Sequence, residues 1–170
     1  MSFEIGGIVL HDLQALDLEQ TYEIIGGETI LRAVSGAGLK QETWARLKVT
    51  TSGAGWLPPG LATLATNAQH LLRCVVPRGI PCAGLEATLP AAHRSDAGYT
   101  PYGLAYLAGG QAVRTPAALF GNVATVTPVA GALAYGAIYY PELTVWALRP
   151  TVSGQRAEAT HRWELICEEV

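Results

Sequence analysis

Residues 39–51 read Leu39-Lys40-Gln41-Glu42-Thr43-Trp44-Ala45-Arg46-Leu47-Lys48-Val49-Thr50-Thr51. In an extended chain Trp44, Arg46, Lys48 and Thr50 fall on one side, and Ala45, Leu47, Val49 and Thr51 on the other. A period of two sustained over this length argues for a long strand, because a helix repeats its apolar positions every three or four residues. Ser35-Gly36-Ala37-Gly38 stands before it and Ser52-Gly53-Ala54-Gly55 after it. Both tetrads read as turn chemistry, and their differing flanks exclude a structural repeat.

Working outward, residues 19–25 and 28–34 alternate more weakly. Gly26-Gly27 between them supplies the positive φ of a hairpin turn. Further strands are expected within 3–10, 69–76, 85–89, 121–127, 143–148 and 160–167, with a turn over 150–155. The last strand places His161, Trp163, Leu165 and Cys167 on one face and Arg162, Glu164 and Ile166 on the other. Trp56-Leu57-Pro58-Pro59-Gly60 leads into a short helix over 61–67, whose Leu57, Leu61 and Leu64 stripe would lie on a sheet. Residues 91–102, with Arg94, Ser95, Asp96, Gly98 and Pro101, read as an exposed loop. Frequent strands with one short helix predict a mostly β, single-domain barrel or sandwich over residues 1–170, with no linker dividing it.

Composition narrows the function classes. The chain has 170 residues with 11 Lys+Arg against 14 Asp+Glu, a net charge of −3. No basic field exists to hold a phosphate backbone, so no specific nucleic-acid binding is expected. Residues 97–141 contain one charge, Arg114, but Pro101, Pro116 and Pro128 interrupt them. A helical span needs about 20 consecutive apolar residues, so no membrane insertion is expected. The first residues lack a basic and apolar leader, which points to synthesis in a cytoplasm. Cys74, Cys82 and Cys167 show no CxxC spacing and read as buried, reduced thiols, with a Cys74–Cys82 disulfide or half a zinc site as the alternative.

Tests for chemistry return little. His11, His70, His93 and His161 form no HxH or HExxH pattern, and neither GxSxG, GxxxxGK[ST] nor GxGxxG is present. His11-Asp12 is the one adjacent His–carboxylate pair and reads as a solvated strand end. Asp96 with Glu142 is a conceivable carboxylate pair for hydrolysis; Glu42 and Glu168-Glu169 have no evident partner. No catalytic, cofactor-binding or metal-binding residue is assigned, no cofactor is implied, and an enzyme is not expected. Tyr99, Tyr102, Tyr106, Tyr135, Tyr139 and Tyr140 cluster in sequence. They suit either sheet packing or a stacking platform for sugar or a partner.

Charged residues make up 15% of the chain, where roughly 25% is usual, so part of the exterior is expected to be covered by another subunit. The Ala/Gly/Thr/Val tract 119–140 and the loop 91–102 are the expected contact elements.

One stretch carries a family likeness. Gly26-Gly27 is followed by Leu31-Arg32 and Gln41-Glu42-Thr43-Trp44, then by Thr50-Thr51-Ser52-Gly53-Ala54-Gly55-Trp56-Leu57-Pro58-Pro59-Gly60-Leu61. This order resembles small virion proteins of tailed bacteriophages, particularly minor tail proteins near the tail tip. The closing Trp163-Glu164-Leu165 and Glu168-Glu169-Val170 similarly look like a terminal barrel strand with an acidic tail. The resemblance implies the split β-barrel of tail-tube and distal-tail proteins and a homo-oligomeric ring, commonly hexameric. Its partners would be neighbouring tail or baseplate proteins, and its place the virion tail. Gly26, Gly27, Trp44, Trp56, Pro58 and Pro59 would be fold determinants. A receptor- or carbohydrate-binding β-module of a virion, using the tyrosines, is the alternative.

Overall fold

Gly53 and Gly55 do not turn the chain. They lie inside a strand that runs on to Gly55, because two bulky neighbours need the space a side chain would take. A Cβ on Gly53 would meet the Trp163 indole at 2.6 Å, and one on Gly55 would meet the Leu13 and Gln14 backbone. Trp163 is buried there, donating its indole N–H to the Gln14 carbonyl at 2.9 Å, with its ring 5.8 Å from that of Phe3.

The computed structural model describes residues 3–170. About 61% of the chain is strand and 4% helix, so it is mostly β, as the alternation in 39–51 requires. The strands in chain order are β1 (Phe3–Ile5), β2 (Ile8–Leu10), β3 (Asp17–Arg32), β4 (Gly38–Gly55), β5 (Gln69–Arg73), β6 (Arg78–Pro81), β7 (Glu86–Thr88), β8 (Tyr102–Leu107), β9 (Ala112–Thr115), β10 (Ala117–Phe120), β11 (Val123–Val126), β12 (Ala132–Tyr139), β13 (Glu142–Ala147), β14 (Thr151–Gln155) and β15 (Thr160–Glu169). Three sheets result, ordered β2-β1-β5-β13-β15-β4-β3 with β14 also on β15, β10-β11-β7, and β6-β12-β8-β9. None closes into a barrel.

Two compact units emerge: one runs to Leu71 and resumes at Thr144, and the other is Leu72–Leu143. The chain leaves the first unit along β5 and returns along β13. The second unit is thus inserted between strands, which explains why no linker composition announces it.

The first unit buries Phe3, Ile5, Leu10, Val49, Leu61, Val145, Trp163, Leu165 and Cys167. The face assignment for 160–167 therefore holds, with Trp163, Leu165 and Cys167 inward. The helix expected over 61–67 shrinks to a 3-10 turn at Gly60–Thr63, which still buries Leu61 and Leu64 but leaves Leu57 exposed. The turn expected over 150–155 is the strand β14, paired with β15 from Thr151↔Glu164 to Gln155↔Thr160. Thr151 and Val152 carry its β-propensity, and the chain reverses after it.

The second unit packs the three- and four-stranded sheets through small side chains. Ala87, Leu89, Ala124, Ala137 and Tyr139 form its core, with Ile80, Cys82 and Ala117 against it. These lie in, or one residue beyond, β7, β11, β12, β6 and β10, so the two sheets face each other as a sandwich. Alanine and glycine let the layers approach: a Cβ on Gly103 in β8 would strike the Val126 side chain of β11. Ala124, Val126 and Gly136–Tyr139 of the tract 119–140 are therefore this unit's own interior.

Candidate interaction surface

The hairpin β3–β4 is the largest exposed feature. Its register runs from Asp17↔Ala54 to Arg32↔Gly38, but β15 pairs with β4 only over Lys48–Gly55. Beyond Lys48 the hairpin is a two-stranded ribbon, and every residue from 28 to 46 is exposed. From Ile25 to Arg32 that is roughly 25 Å of strand at the usual rise per residue.

The chain reverses at Ser35-Gly36, where Gly36 has φ +83° and its N–H donates to the Ala33 carbonyl at 2.8 Å. Gly26-Gly27 is not the turn. It sits in mid-strand opposite a bulge: Gly27 pairs with Trp44 and Glu28 with Glu42, leaving Thr43 extra. The Thr43 hydroxyl donates to the Gly27 carbonyl at 2.8 Å. A Cβ on Gly27 would meet that hydroxyl and the Trp44 indole, and one on Gly26 the Trp44 carbonyl. Glycine is required here by the close approach of the bulged strand and its tryptophan, not by a positive φ. The sequence signal was present, since an isolated glycine pair inside an alternating pattern marks a bulge as readily as a turn.

Cross-strand partners share a face, so the register sorts the arm's side chains. Ile24 and Ile30 continue the face that carries the buried Gln20, Val49 and Thr51 nearer the body. Leu31, Leu39 and Trp44 lie on the opposite face. Ile24 is 70%, Leu39 66% and Trp44 50% exposed, and Ile30, Leu31 and Val34 are exposed too. Apolar side chains thus stand on both faces of an unsupported ribbon, where a solvated hairpin would keep at least one face polar. Lys40–Glu28 at 2.5 Å and Lys48–Glu23 at 3.0 Å are ion pairs along it. The Glu28 carboxylate, bonded to the Lys40 ammonium and attracting it, holds the lysine above its ordinary pKa. Trp44 is consequently no core determinant, and Trp56 is exposed as well; of the two prolines, Pro59 is buried and Pro58 is not.

In the second unit the loop 91–102 is exposed at Ala91, Ala92, Ser95–Gly98 and Thr100, but is pinned at the buried Arg94 and Tyr99. Arg94 is 3% exposed. Its guanidinium donates to both Asp96 oxygens at 2.9 and 2.6 Å and to the Cys74 carbonyl at 3.0 Å, and lies 3.3 Å over the Tyr99 ring. Tyr99 meets Tyr140 edge-on at 5.0 Å. Burial works against the Arg94 charge, but Asp96 and Tyr99 outweigh it and the pKa is raised. Asp96 is held below the usual carboxylate value, chiefly by the hydrogen bond from Arg94. Glu142 is bonded to Arg73 at 2.8 Å. Each member of the conceivable pair Asp96 and Glu142 is thus neutralised by its own arginine.

The histidines are engaged locally. The His11 backbone N–H donates to the Gln14 side-chain oxygen at 3.0 Å, and ring nitrogens of His70 and His93 bond the Ala65 and Pro90 carbonyls at 2.6 and 2.7 Å. No group of three His, Cys, Asp or Glu capable of holding a metal ion occurs among the described residues. The three cysteines are free thiols. No helix among the described residues is long and apolar enough to cross a membrane.

The tyrosines divide. Tyr99 and Tyr139 are buried, Tyr106 is exposed, and Tyr102, Tyr135 and Tyr140 are half-buried. Tyr102 carries the Arg114 guanidinium 3.8 Å over its ring and lines a groove with Thr100, Pro101, Arg114, Pro116 and Leu119. Leu119, Phe120 and Leu133 are the large apolar side chains exposed in the tract 119–140. No family model, no curated protein and no solved structure matches the chain.

Proposed function

We propose that this chain is a structural subunit of a bacteriophage tail, at the tip or baseplate, which assembles with copies of itself and with adjacent tail proteins. The observation that carries the reading is the ribbon 28–46, apolar on both faces and exposed throughout. Burying the exposed parts of Ile24, Ile30, Leu31, Val34, Leu39 and Trp44 is worth about 8 kcal/mol gross. Association itself costs about 4–15 kcal/mol, so a stable contact also needs the free main-chain edges of the ribbon, as in strand addition.

A second copy is the occupant that fits. The arm carries Glu23, Glu28 and Glu42 beside Arg32, Lys40, Arg46 and Lys48, a mixed pattern able to complement itself. An arm laid on the next copy is a head-to-tail contact, which either closes into a ring or grows a filament. The resemblance in residues 22–64 favours the ring and the tail. It also supports the split barrel, with the neighbour's arm supplying the closure that a single chain leaves open. A net charge of −3 suits a lumen that lets DNA slide rather than gripping it.

Two measurements test this. Sedimentation velocity with negative-stain imaging of the purified chain should give rings, and mass spectrometry should find the chain in virions made from a genome that encodes it. A monomer that neither self-associates nor is found in particles overturns the proposal.

A further inference from the structure

We propose that the unit Leu72–Leu143 carries a binding site for a carboxylate-bearing saccharide, centred on Arg114 in the groove beside Tyr102. This is independent of self-assembly through the arm. The groove encloses about 460 Å³ and is open to solvent on one side, space for one or two sugar rings.

Arg114 is the only charged residue between 97 and 141. Arg73 and Arg94 in the same unit are each held by a carboxylate. The Arg114 guanidinium has no ion pair or side-chain hydrogen bond among the described residues; its central carbon lies 3.8 Å over the centre of the Tyr102 ring. This cation–π contact restrains the guanidinium while leaving its N–H groups unspent. The fork they form matches a carboxylate in bidentate geometry. Local preorganisation also lowers the ordering cost of binding.

The rest of the lining selects the body of the ligand. Pro116 and Leu119 are exposed and offer C–H surface suited to a sugar's apolar face, and Thr100 is an exposed hydroxyl donor in the lining. A nucleic-acid backbone would need several cations in register, and here there is one. An extended acidic peptide would seek main-chain pairing, but prolines on both walls lack the N–H to give it.

The test uses the full ¹⁵N-labelled chain and observes backbone amides and arginine Nε–Hε signals by NMR. The probes are a galacturonate oligomer, its methyl ester, a sialylated trisaccharide, acetate and a glutamate-rich peptide. An acidic saccharide should shift the Arg114 side-chain signal and the amides of Thr100 and Leu119. Methyl esterification, or Arg114→Gln, should weaken binding roughly ten- to a hundred-fold, the range for a lost charged hydrogen bond. Arg114→Gln should leave amides remote from the groove unmoved, showing that the fold persists. The proposal is overturned if neither acidic saccharide shifts these signals, or if the methyl ester binds equally well. It is also overturned if acetate or the peptide binds as tightly as the saccharides.

Discussion

Excising the arm is the most direct perturbation. Ile24 and Leu47 already face each other across the hairpin, so residues 25–46 can be replaced by Asn-Gly, a two-residue turn suited to opposed strands. The structure sets the cost. No residue from 28 to 46 is buried, and the pairing of β15 with β4 starts at Lys48. The identifiable loss to the body is the Arg46 hydrogen bond to the Val170 carbonyl, so global stability should fall by about 1 kcal/mol. Trp56, Trp146 and Trp163 remain, and the buried Trp163 reports the core by fluorescence in urea. Self-association should respond very differently. Losing even half of the 8 kcal/mol gross estimate weakens assembly by roughly a thousand-fold, read by sedimentation velocity. A loss of stability above about 3 kcal/mol, which is core magnitude, would show that the ribbon is packed in the monomer. Unchanged assembly would show that the arm is not its contact.

Trp44→Ala, measured on the monomer, should cost about 1 kcal/mol or less because the arm opens locally. Leu165→Ala in the first unit's core should cost about 2–5 kcal/mol in the same urea titration. Arg94→Ala should destabilise the second unit by about 3 kcal/mol, since it removes the buried donor to the Cys74 carbonyl and the ion pair with Asp96; hydrogen exchange in residues 91–102 localises the effect. The depressed Asp96 pKa means that its contribution is present above the ordinary carboxylate value of 3.8 and is lost as pH falls through its lower folded value. Asp96→Asn should remove that acid-side loss from urea midpoints taken between about pH 6 and pH 2. Thiol titration should count three free cysteines in denaturant and react slowly in the native protein, where Cys74 and Cys167 are buried and burial raises the Cys82 pKa.

Alternation in the sequence was enough to establish a mostly β chain, because facing one side of a sheet to the core demands it residue by residue. Trp163, Leu165 and Cys167 were legible as core for that reason, and Ser35-Gly36 as a turn because positive φ selects glycine. Elsewhere the pattern left open whether a glycine turns the chain or makes room for a neighbour. Gly26, Gly27, Gly53 and Gly55 look locally like turn residues, yet each makes room for a neighbour that is distant in sequence. Trp44 illustrates the same limit. Its side of the strand could be read from the pattern, but whether anything covers that side depends on where β15 stops pairing. Tertiary packing alone decided that Ala124 and Ala137 line a sandwich interior while the hairpin stands bare. Burial is a property of what arrives from elsewhere in the chain, and the local sequence specifies only which side chains would tolerate it.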